Sequence, residues 1–561
     1  MREWWCRILE GNAPSLPQLC RRPMLGWQRR SVALHCYTAV LACLSTANLS
    51  ATASAPNFVV ILADDLGWMD INPTARYATG TPAIQQFYET PHLDQLSRDG
   101  ISFARCYSGP LCSPSRATIV TGRNGVTFGF NNAAAMRAGK FTFAANGKTP
   151  PGDYLAHDKM PGTSPRFPVA TATGNYALPN VSPDSKGLKV YSLAEMLPAY
   201  RSAFLGKWHI GGGNIEGHRP QDFGFEAIAY EDEGWSSYNK NVRKHWHFPG
   251  PPAQADYLTD DLTALSVDWI RAHVKGQPEQ PFLLYLAHFG VHDPFQAKPE
   301  DVAHFEAKAS RGWNGHDNAT YAGMIRALDD SVGTIRAALK QLGVADNTII
   351  VFTSDNGAQV QKGNKQVTSN APLRGQKAQT FEGGIRVPMI VCSAGSAGGG
   401  EWVDAPISLE DLAPTLAALS GQTVLPEIEA QWTGQSLLPL LQKRPADFAK
   451  RSIFIHEPYY RPDVLSEGSP FLTPSTVMID GDYKLIAYHD GSIRLYDLEA
   501  DIGEAKDLSA AMPERVSVMK KRVAQWRFEN IPARYDTSAN PRYDPATADA
   551  LPQPEGALFV R

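Results

Sequence analysis

The chain has 561 residues, with 53 Lys and Arg against 57 Asp and Glu, which gives a formal net charge of −4. Hydrophobic residues make up 43% of the chain and charged residues 20%, values that exclude a mainly disordered protein. The lack of a basic excess argues against a nucleic-acid-binding protein that depends on counterion release, so we expect no nucleic-acid partner.

The first 55 residues have the composition of an export segment. Arg29 and Arg30 precede the charge-free run 31–49, and small residues follow at 53–55. A basic flank, an apolar run and a small-residue cleavage site are the parts of a secretory signal, so we expect a periplasmic or secreted protein. Two alternatives stay open: a membrane anchor, for which the run is short, and a bacterial lipobox that would attach lipid to Cys43. We expect no transmembrane span in the mature chain.

Without residues 1–55 the chain has 47 basic and 55 acidic residues, a formal charge of −8, and three cysteines. An exported protein of this size with three cysteines does not depend on a disulfide framework. Cys106 and Cys392 have no motif around them and are interpreted as small hydrophobic residues. An odd number of cysteines in an exported protein requires an explanation, and Cys112 is the candidate.

Four apolar runs are typical of strands that are buried on both faces of a sheet. They lie at 57–63, 281–287, 348–353 and 388–392. Helical patterns, such as 258–274 and 320–342, lie between them, and strands that alternate with helices predict a parallel α/β sheet. Since ligands bind beyond the carboxyl ends of such strands, the polar residues that close the first three runs are candidates for one shared site.

Two of these strand ends carry oxygen ligands. Asp64 and Asp65 follow the first run, and Asp355 and Asn356 follow the third. Three carboxylates and an amide oxygen form a hard, all-oxygen donor set, which suits Ca²⁺ or Mg²⁺ and not Zn²⁺. Each pair by itself is also typical of a turn.

The run Cys112-Ser113-Pro114-Ser115-Arg116, followed by Thr121-Gly122-Arg123, is the most informative stretch. Ser113 predicts a helix N-cap and Pro114 a first helical residue, so we expect Cys112 just before a helix N-terminus. The partial positive charge there favours anions. By itself, a cysteine next to a capped helix is more typical of a buried structural residue.

Three further segments combine cationic or imidazole side chains with Gly or Pro. They are Gly206-Lys207-Trp208-His209, Val291-His292-Asp293-Pro294 and Leu373-Arg374-Gly375-Gln376-Lys377. On an extended stretch Lys207 and His209 would point to the same face, since side chains at i and i+2 do so. His288 directly follows the second apolar run and competes with His292 for a place in the site.

In combination these motifs resemble the type I, formylglycine-dependent sulfatases, an arylsulfatase-like family of the alkaline phosphatase superfamily. The resemblance spans about residues 56–530, and the Cys112 run is its most specific part. In that family a maturation enzyme that reads Cys-x-Pro-x-Arg oxidises the cysteine to formylglycine. The resemblance implies a large mixed, mostly parallel sheet flanked by helices, with a smaller C-terminal α+β subdomain. It also implies hydrolysis of sulfate monoesters of a small molecule or a saccharide.

The resemblance assigns roles to the candidate residues. It implies a metal site, with Ca²⁺ preferred and Mg²⁺ as the alternative, made by the modified Cys112 together with Asp64, Asp65, Asp355 and Asn356. It implies catalytic roles for Cys112, Arg116, Lys207, His209, His292 and Lys377. In the family the two lysines bind sulfate, and the histidine at position 209 supports the formylglycine hydroxyl. The His-x-Pro spacing favours His292 over His288 near the leaving group. Whether Lys377 or His292 protonates the leaving oxygen stays open.

A formylglycine hydrate explains why the family needs a modified cysteine. One of its two geminal hydroxyls attacks sulfur, and the other then loses its proton and expels sulfate, which restores the aldehyde. The metal holds one hydroxyl and a sulfate oxygen, which lowers the pKa of the nucleophile. The acidic chain would then bind an anion through a local cluster of cations.

The chain divides into four predicted segments: an export segment at 1–55, a catalytic α/β domain at 56–430, an α+β subdomain at 431–535 and a Pro-rich tail at 536–561. The subdomain combines a three-stranded meander, at 476–480, 483–487 and 492–496, with a helix at 512–530. A long irregular insertion is predicted at 128–189. We expect substrate specificity to arise from this insertion, from 212–247 and from the subdomain, in which His456 resembles a residue that borders the substrate pocket.

Two other functions remain as alternatives. Phosphonate monoester and phosphodiester hydrolases belong to the same superfamily, although the Gly-Lys-Trp-His and Leu-Arg-Gly-x-Lys segments favour a sulfatase. An exported carbohydrate-binding protein that has lost catalysis is the alternative from another class. Fold analogy does not identify the sugar or the position of its sulfate.

Overall fold

The computed structural model describes residues 55–80, 86–132, 169–170, 177–180, 189–212, 216–232, 238, 256–308, 312, 314–362, 365–396, 399–459, 474–489, 491–539 and 544. The predicted export segment, most of the predicted insertion and most of the Pro-rich tail lie outside these residues. The same holds for much of the 212–247 segment, so these expectations stay predictions.

The described strands and helices alternate through the first part of the chain. The strands are β1 Asn57–Ala63, β2 Ile101–Tyr107, β3 Val169–Ala170, β4 Arg201–Lys207, β5 Glu226–Glu231, β6 Phe282–Ala287, β7 Thr348–Ser354, β8 Gln361–Lys362, β9 Lys365–Gln366, β10 Arg386–Ser393, β11 Glu401–Val403, β12 Ile407–Ser408, β13 Ile453–Glu457, β14 Ser475–Asp480, β15 Tyr483–Tyr488, β16 Ile493–Asp497 and β17 Ser538–Ala539. The α-helices are α1 Asn72–Thr79, α2 Pro91–Asp99, α3 Cys112–Thr121, α4 Leu193–Met196, α5 Leu258–Gly276, α6 Pro299–Glu306, α7 Ala319–Gln341, α8 Glu382–Ile385, α9 Leu412–Ser420, α10 Pro426–Glu429, α11 Leu438–Leu441 and α12 Pro513–Asn530. Short 3-10 turns lie at Trp68–Asp70, Gly125–Phe128, Pro220–Phe223, Ala345–Asn347, Leu409–Asp411, Pro445–Asp447 and Ala533–Tyr535.

One large sheet has the strand order β11-β2-β10-β7-β1-β6-β4-β5, and β12 pairs with β2. β1 is parallel to β6 and β7, and β4 is parallel to β5 and β6, whereas β10 is antiparallel to β2 and β7. The sheet is therefore large, mixed and mostly parallel, which confirms the predicted fold class. Every residue of β1, β6 and β7 is buried, which explains why these strands are near-continuous apolar runs.

The register of the central strands aligns their carboxyl ends. Ala63 at the end of β1 lies opposite Ser354 of β7. Leu62 and Gly206 both lie opposite Ala287, the last residue of β6. The loops that follow β1, β4, β6 and β7 therefore leave the sheet at one edge, and the candidate residues on these loops meet there.

Helices cover the sheet through apolar side chains. Leu262 of α5 and Leu328 of α7 join Ile61, Leu284 and Ile350 of the sheet in one buried cluster. Full burial of a leucine or isoleucine side chain contributes about 1.5–3 kcal/mol. This core fixes the strands, and through them the loops at the carboxyl edge.

The strands β13 to β16 form a second, antiparallel sheet in that order. Val477 and Ile486 lie on one face and pack with Phe381, which precedes β10 of the large sheet. Leu485 lies on the other face and packs with Met519 of α12. Since neighbouring residues of a strand point to opposite faces, β15 contacts the helix with one face and the large sheet's loops with the other.

The three cysteines of the described residues, Cys106, Cys112 and Cys392, are free thiols and are buried. Their state agrees with the prediction that the fold does not depend on a disulfide framework. Within the same part of the chain, no helix has both the length and the apolar character that a membrane crossing requires.

Candidate active site

Asp64 and Asp65 lie directly after β1, and Asp355 and Asn356 lie directly after β7. The Asp355 N–H donates to the Ala63 carbonyl at 3.2 Å, and the Asp65 N–H donates to Asp355 Oδ1 at 3.1 Å. These bonds hold the two loops together, and one carboxylate oxygen from each of the three aspartates lies within 4.8 Å of the others. The structure thus brings together the four protein residues that were predicted to bind a metal through oxygen.

Two oxygens of this group, Asp64 Oδ1 and Asn356 Oδ1, are buried and have no hydrogen-bond partner within the described part of the chain. Asn356 Nδ2 donates to Asp65 Oδ1 at 2.8 Å, so the amide oxygen remains as the free acceptor. A buried acceptor without a partner is unfavourable, and a bound cation would supply that partner. The donor set therefore fits a hard divalent cation such as Ca²⁺ or Mg²⁺.

Lys207 and Arg116 place positive charge against these carboxylates. Lys207 Nζ lies 2.6 Å from Asp64 Oδ2, and Arg116 Nη2 lies 2.8 Å from Asp355 Oδ2. Arg116 Nη1 also donates to the Lys207 carbonyl at 2.8 Å, which ties α3 to the end of β4. Both cations are almost fully buried, and charges in that position require partners of opposite sign.

Lys377 lies on a loop that precedes α8 and reaches the site from another side. Its Nζ lies 2.7 Å from Asp65 Oδ2, and its side chain is 13% exposed, whereas that of Lys207 is fully buried. The Lys377 N–H donates to the Ala358 carbonyl at 2.9 Å, and the next N–H donates to the Pro110 carbonyl at 2.8 Å. These bonds connect the lysine loop to the segment that leads into Cys112.

Cys112 is the first residue of α3, not the residue before it. Leu111 is the N-cap, and no side chain caps this helix N-terminus. The prediction that Ser113 is the N-cap is therefore wrong, because its Oγ lies against His209 Nδ1 at 3.2 Å instead of a helix N–H. Cys112 is 2% exposed, and burial raises the pKa of its thiol.

His209 follows β4 in a left-handed conformation, with φ of 57°. Because β4 ends at Lys207, the extended geometry that would place Lys207 and His209 on one face is absent. His209 Nε2 is buried and has no hydrogen-bond partner among the described residues. Burial, together with the charges of Lys207 and Arg116, holds the pKa of His209 well below its usual value, so the imidazole is neutral.

His292 lies against the aspartates, whereas His288 lies against α7. His292 Nε2 is 3.7 Å from Asp65 Oδ2, and the His292 carbonyl accepts a hydrogen bond from the Tyr238 hydroxyl at 2.9 Å. His288 is fully buried, and its Nε2 lies 3.0 Å from Ser331 Oγ. The His-x-Pro spacing therefore selected the histidine that borders the candidate site.

The charged groups of the site shift one another's pKa values. Burial raises the pKa of Asp65, but Lys377 and His292 more than offset it and hold the pKa below its usual range. Burial and the neighbouring Asp64 raise the pKa of Asp355 to about 6. The aspartates are thus crowded, and a divalent cation between them would relieve their repulsion.

Comparison with known proteins agrees with this geometry. A sulfatase family model matches residues 56–422. N-acetylgalactosamine-6-sulfatase of Homo sapiens is 32% identical over 437 residues, which cover 73% of this chain and 69% of the relative. This chain belongs to the sulfatase family.

A sulfatase of Formosa agariphila is 27% identical over 549 residues, covering 85% of this chain and 89% of the relative. Among solved structures, Ps i-CgsB in complex with k-i-k-neocarrahexaose matches with a TM-score of 0.63 and 26% identity, covering 85% of this chain and 94% of that chain. As a member of the sulfatase family, this protein is a sulfuric ester hydrolase.

The sequence motifs did not identify Asp70, which holds the aspartate loop of this sulfatase in place. Asp70 Oδ2 accepts hydrogen bonds from the Gly67 N–H and the Tyr321 hydroxyl, both at 2.8 Å. Its Oδ1 accepts one from the Thr368 hydroxyl at 2.7 Å. The signal in the sequence is weak, because an aspartate shortly after Asp65 is equally typical of a solvated turn.

Proposed function

We propose that this sulfatase hydrolyses sulfate monoesters of saccharides, with a formylglycine formed from Cys112 as its nucleophile. The observation that carries the proposal is the position of Cys112 at the carboxyl edge of the sheet. Residues on both sides of it bond to the lysine, histidine and aspartate segments of the site, at Pro110, Ser113 and Arg116. A residue in this position lies among groups that can bind an anion and move protons.

The substrate class rests on the relatives. The human relative is named for N-acetylgalactosamine, an amino sugar, and the matched crystal structure holds neocarrahexaose. We infer that a sulfated saccharide is also the substrate of this chain. A sulfated small molecule would satisfy the same catalytic residues, so a substrate panel has to include both kinds of sulfate ester.

Two groups supply chemistry that the unmodified side chains lack. Asp64, Asp65, Asp355 and Asn356 would hold a divalent cation, for which we propose Ca²⁺, together with residue 112 in its modified form. Such an ion supplies Lewis-acid polarisation of a sulfate oxygen and favours an ionised hydroxyl. A formylglycine hydrate, made from Cys112 by a maturation enzyme, supplies one hydroxyl that attacks sulfur and a second that expels sulfate.

Lys207 and Lys377 bind the sulfate group in this proposal. Each ammonium contacts one aspartate and has three donors, so each retains protons for a sulfate oxygen. Arg116, which is 1% exposed and pairs with Asp355, adds a further positive charge to the site. Fixed cations in a buried site stabilise the negative charge that develops on the sulfate and leaving oxygens in the transition state.

His209 accepts the proton whose removal releases sulfate. With its Nδ1–H donated to Ser113 Oγ, the buried Nε2 carries the lone pair that takes this proton. The low pKa of His209 supports the proposal, since the imidazole is neutral before the transfer. His209 Nε2 would thus take up the proton of the second hydroxyl when sulfate leaves the modified residue 112.

Lys377 is the stronger candidate for the proton donor to the leaving oxygen. Burial lowers the pKa of Lys377, but the charge of Asp65 more than offsets it, so the ammonium stays protonated. Burial and Lys377 lower the pKa of His292 to about 3, so this imidazole carries no spare proton at neutral pH. We therefore propose that Lys377 donates and that His292 accepts a hydrogen bond near the leaving group.

Localisation and domain organisation are proposals that rest on the sequence. We infer export, to the periplasm or beyond the cell, from the segment 1–55, with lipid attachment at Cys43 as the weaker alternative. We also infer that residues 56–430 form the catalytic part and 431–535 a C-terminal subdomain. Cleavage of the chain near residue 55 in protein isolated from the culture medium or periplasm would support export.

Mass spectrometry of the tryptic peptides tests the nucleophile. Protein from the native host should carry an aldehyde or its hydrate at Cys112, whereas the peptides with Cys106 and Cys392 should carry unmodified thiols. These two buried cysteines are internal controls for non-specific oxidation. An unmodified thiol at Cys112 in active protein would contradict the formylglycine proposal.

A substrate panel tests the reaction. We expect faster sulfate release from sulfated oligosaccharides than from 4-nitrophenyl sulfate, and slower turnover of aryl phosphodiesters than of either. Faster phosphodiester turnover would favour the related hydrolases of the superfamily. Equal rates on aryl and saccharide sulfates would overturn the saccharide assignment while leaving the sulfatase reaction intact.

A further inference from the structure

A second cluster of buried charges lies where the C-terminal sheet meets the loop that carries Lys377. Lys484 of β15, Glu382 of α8 and Glu504 are each 0% exposed. Lys484 Nζ lies 3.0 Å from Glu382 Oε1 and 2.7 Å from Glu504 Oε1. A lysine is rarely buried to this extent unless it is paired, so both carboxylates hold this cation.

Glu504 contacts both ends of the loop from Arg374 to Glu382. Its Oε2 accepts a hydrogen bond from the Glu382 N–H at 2.7 Å, and its carbonyl accepts one from Arg374 Nη1 at 2.6 Å. The Gly383 N–H donates to the Arg374 carbonyl at 2.7 Å, which closes the base of the loop. Glu504, from the C-terminal part of the chain, thus contacts both ends of the loop that carries Lys377 and stabilises its base.

Backbone bonds at the tip of the loop place Lys377 against the active site. The Lys377 N–H donates to the Ala358 carbonyl, and the Ala378 N–H donates to the Pro110 carbonyl just before Cys112. Ala378 has a φ of 68°, in the left-handed region that residues with a side chain rarely adopt. The geometry of the tip therefore depends on the contacts around it, and the base is one source of them.

The cluster is closed and offers no ligand site. Glu382 Oε2, the oxygen that Lys484 does not contact, lies 3.2 Å from the Tyr107 hydroxyl and 3.3 Å from Arg386 Nη1. Each carboxylate oxygen of Glu382 and Glu504 therefore has a donor or cation within 3.3 Å. The cluster can therefore affect the reaction only by positioning the loop that carries Lys377.

We propose that Glu504, held by Lys484, is a positioning residue that fixes Lys377 for sulfate binding; this inference rests on the proposed role of Lys377. Loss of the Glu504 carboxylate frees the Glu382 N–H and loosens the base of the loop. The hydrogen bonds from the Lys377 and Ala378 N–H groups to the Ala358 and Pro110 carbonyls are then weakened. A displacement of about 1 Å in a group that contacts the substrate lowers turnover by up to about a hundredfold.

The test is a double-mutant cycle between Glu504 and Lys377 in the matured full-length protein, with 4-nitrophenyl sulfate as the probe. Glu504→Ala should lower kcat/KM by about tenfold or more, and Glu504→Gln should recover part of this loss, because it keeps an acceptor for the Glu382 N–H but loses the charge that pairs with Lys484. In a Lys377→Ala background, Glu504→Ala should change kcat/KM by less than about twofold. Equal losses in both backgrounds would overturn the proposal.

Hydrogen exchange gives a readout that does not depend on turnover. The amides of Lys377 and Ala378 should exchange at least about tenfold faster in Glu504→Ala than in wild type, while the amide of Asp355, bonded to β1, keeps its rate. Unchanged exchange at Lys377 and Ala378 would contradict the proposal even in a protein without sulfate-ester turnover. A wild-type protein without such turnover would instead overturn the proposed function.

Arg336→Met is the matched control, because it breaks another largely buried ion pair far from the loop. Arg336 of α7 pairs with Asp99, and the two side chains are 19% and 2% exposed. Arg336 also bonds to the Ala394 carbonyl beside the start of β7, at the opposite end of the sheet from the site. This variant should lose stability yet keep kcat/KM within about twofold. An equal loss of kcat/KM in Arg336→Met and Glu504→Ala would show that general loosening is the cause and would overturn the proposal.

Discussion

Two clusters of buried charge in this sulfatase differ in how completely their polar atoms are paired. In the candidate active site, three buried acceptor atoms have no hydrogen-bond partner among the described residues: Asp64 Oδ1, Asn356 Oδ1 and His209 Nε2. Arg116 Nη2 lies 3.4 Å from Asp64 Oδ1, beyond the ion-pair distances of the C-terminal cluster.

In the C-terminal cluster, Glu504 Oε1 also lacks a hydrogen bond among the described residues, but the Lys484 ammonium lies 2.7 Å from it. Each carboxylate oxygen of Glu382 and Glu504 thus has a donor or cation within 3.3 Å. Asp64, Asp355 and Asn356 are as fully buried as Lys484, Glu382 and Glu504, so exposure alone does not separate the two sets of residues.

The difference indicates which cluster binds a ligand. A buried polar atom without a partner costs about 1–3 kcal/mol, and three such atoms gathered in one place require a compensating group. A cation would supply a partner to the two oxygens, and a transferable proton would supply one to His209 Nε2. The C-terminal cluster needs no such group, so its charges serve to join the sheet β13–β16 to the lysine loop.

The largest effect should follow from Cys112→Ala. This change removes the residue from which the proposed nucleophile is made, so sulfate release should fall by at least about a thousandfold, to the rate of the background reaction. The midpoint of thermal unfolding should shift by only a few degrees, since one sulfur atom is removed from a site held by many other bonds. Sulfate release and circular dichroism measure the two quantities.

Cys392→Ala is the matched control for that prediction. Cys392 is also buried and free, but it lies in β10 and not at the carboxyl edge. Its loss should leave kcat/KM within about twofold. Turnover close to wild type in Cys112→Ala would refute the assignment of the nucleophile. It would also contradict the proposal that the candidate active site is where sulfate esters are hydrolysed.

The second effect should follow from removal of the proposed metal ion. Exhaustive treatment with a chelator should lower turnover at least about tenfold and should lower the thermal midpoint, because the three aspartates then repel one another. Added Ca²⁺ should restore both. In Asp355→Asn the dependence of the midpoint on Ca²⁺ should weaken. If neither the midpoint nor turnover responds to chelator or Ca²⁺, the cluster of Asp64, Asp65 and Asp355 is not an exchangeable cation site.

The third effect concerns the C-terminal cluster of Lys484, Glu382 and Glu504. Lys484→Met keeps the length of the side chain but leaves the carboxylates of Glu382 and Glu504 facing each other without their shared cation. Breaking a buried pair in this way costs about 3–5 kcal/mol, which denaturant unfolding would measure. Arg271→Ala is the control, because its pair with Asp268 is exposed and contributes less than about 1 kcal/mol. Similar losses in the two variants would show that the cluster is not the structural junction described above.

Local patterns in the sequence predicted the frame of the fold closely. The run 57–63 coincides with β1, and the pattern 320–342 falls within one residue of α7 at each end. These elements are buried through their own apolar periodicity, so their signal is local. The parallel topology followed from the alternation of strands and helices, and it placed the polar strand ends at one edge.

Contacts between distant segments could not be predicted in the same way. Ser113 was expected to cap its own helix, yet its hydroxyl contacts His209, which the end of β4 brings to it in a left-handed conformation. Lys484 looks like an ordinary strand lysine in the sequence, and it is buried because Glu382 and Glu504 come from two other segments. Such pairings depend on the packing of whole elements, which no local motif records.

The smallest effect concerns His456, which lies in β13 outside both clusters. Its Nδ1 is 2.9 Å from Thr476 Oγ1, and its Nε2 is buried, 3.6 Å from Asp536 Oδ1 and without a hydrogen-bond partner among the described residues. Burial lowers the pKa of His456 to about 4, an effect that Asp536 opposes and Arg527 reinforces. The unfolded chain, with a usual histidine pKa near 6.5, therefore binds more protons than the native protein between about pH 4 and 6.5.

Stability should consequently fall as the pH drops through this window, and His456 should account for roughly 2–3 kcal/mol of that loss. His456→Gln keeps a polar contact to Thr476 without a titrating group, so the free-energy difference between wild type and variant should change by this amount between pH 7 and pH 4. Urea unfolding at a series of pH values measures it. Parallel curves for the two proteins would mean that the unpartnered Nε2 gains a proton and a bond to Asp536 in the folded state. Unpaired atoms outside the active site would then be open to protonation, whereas we propose that those inside it take a ligand as their partner.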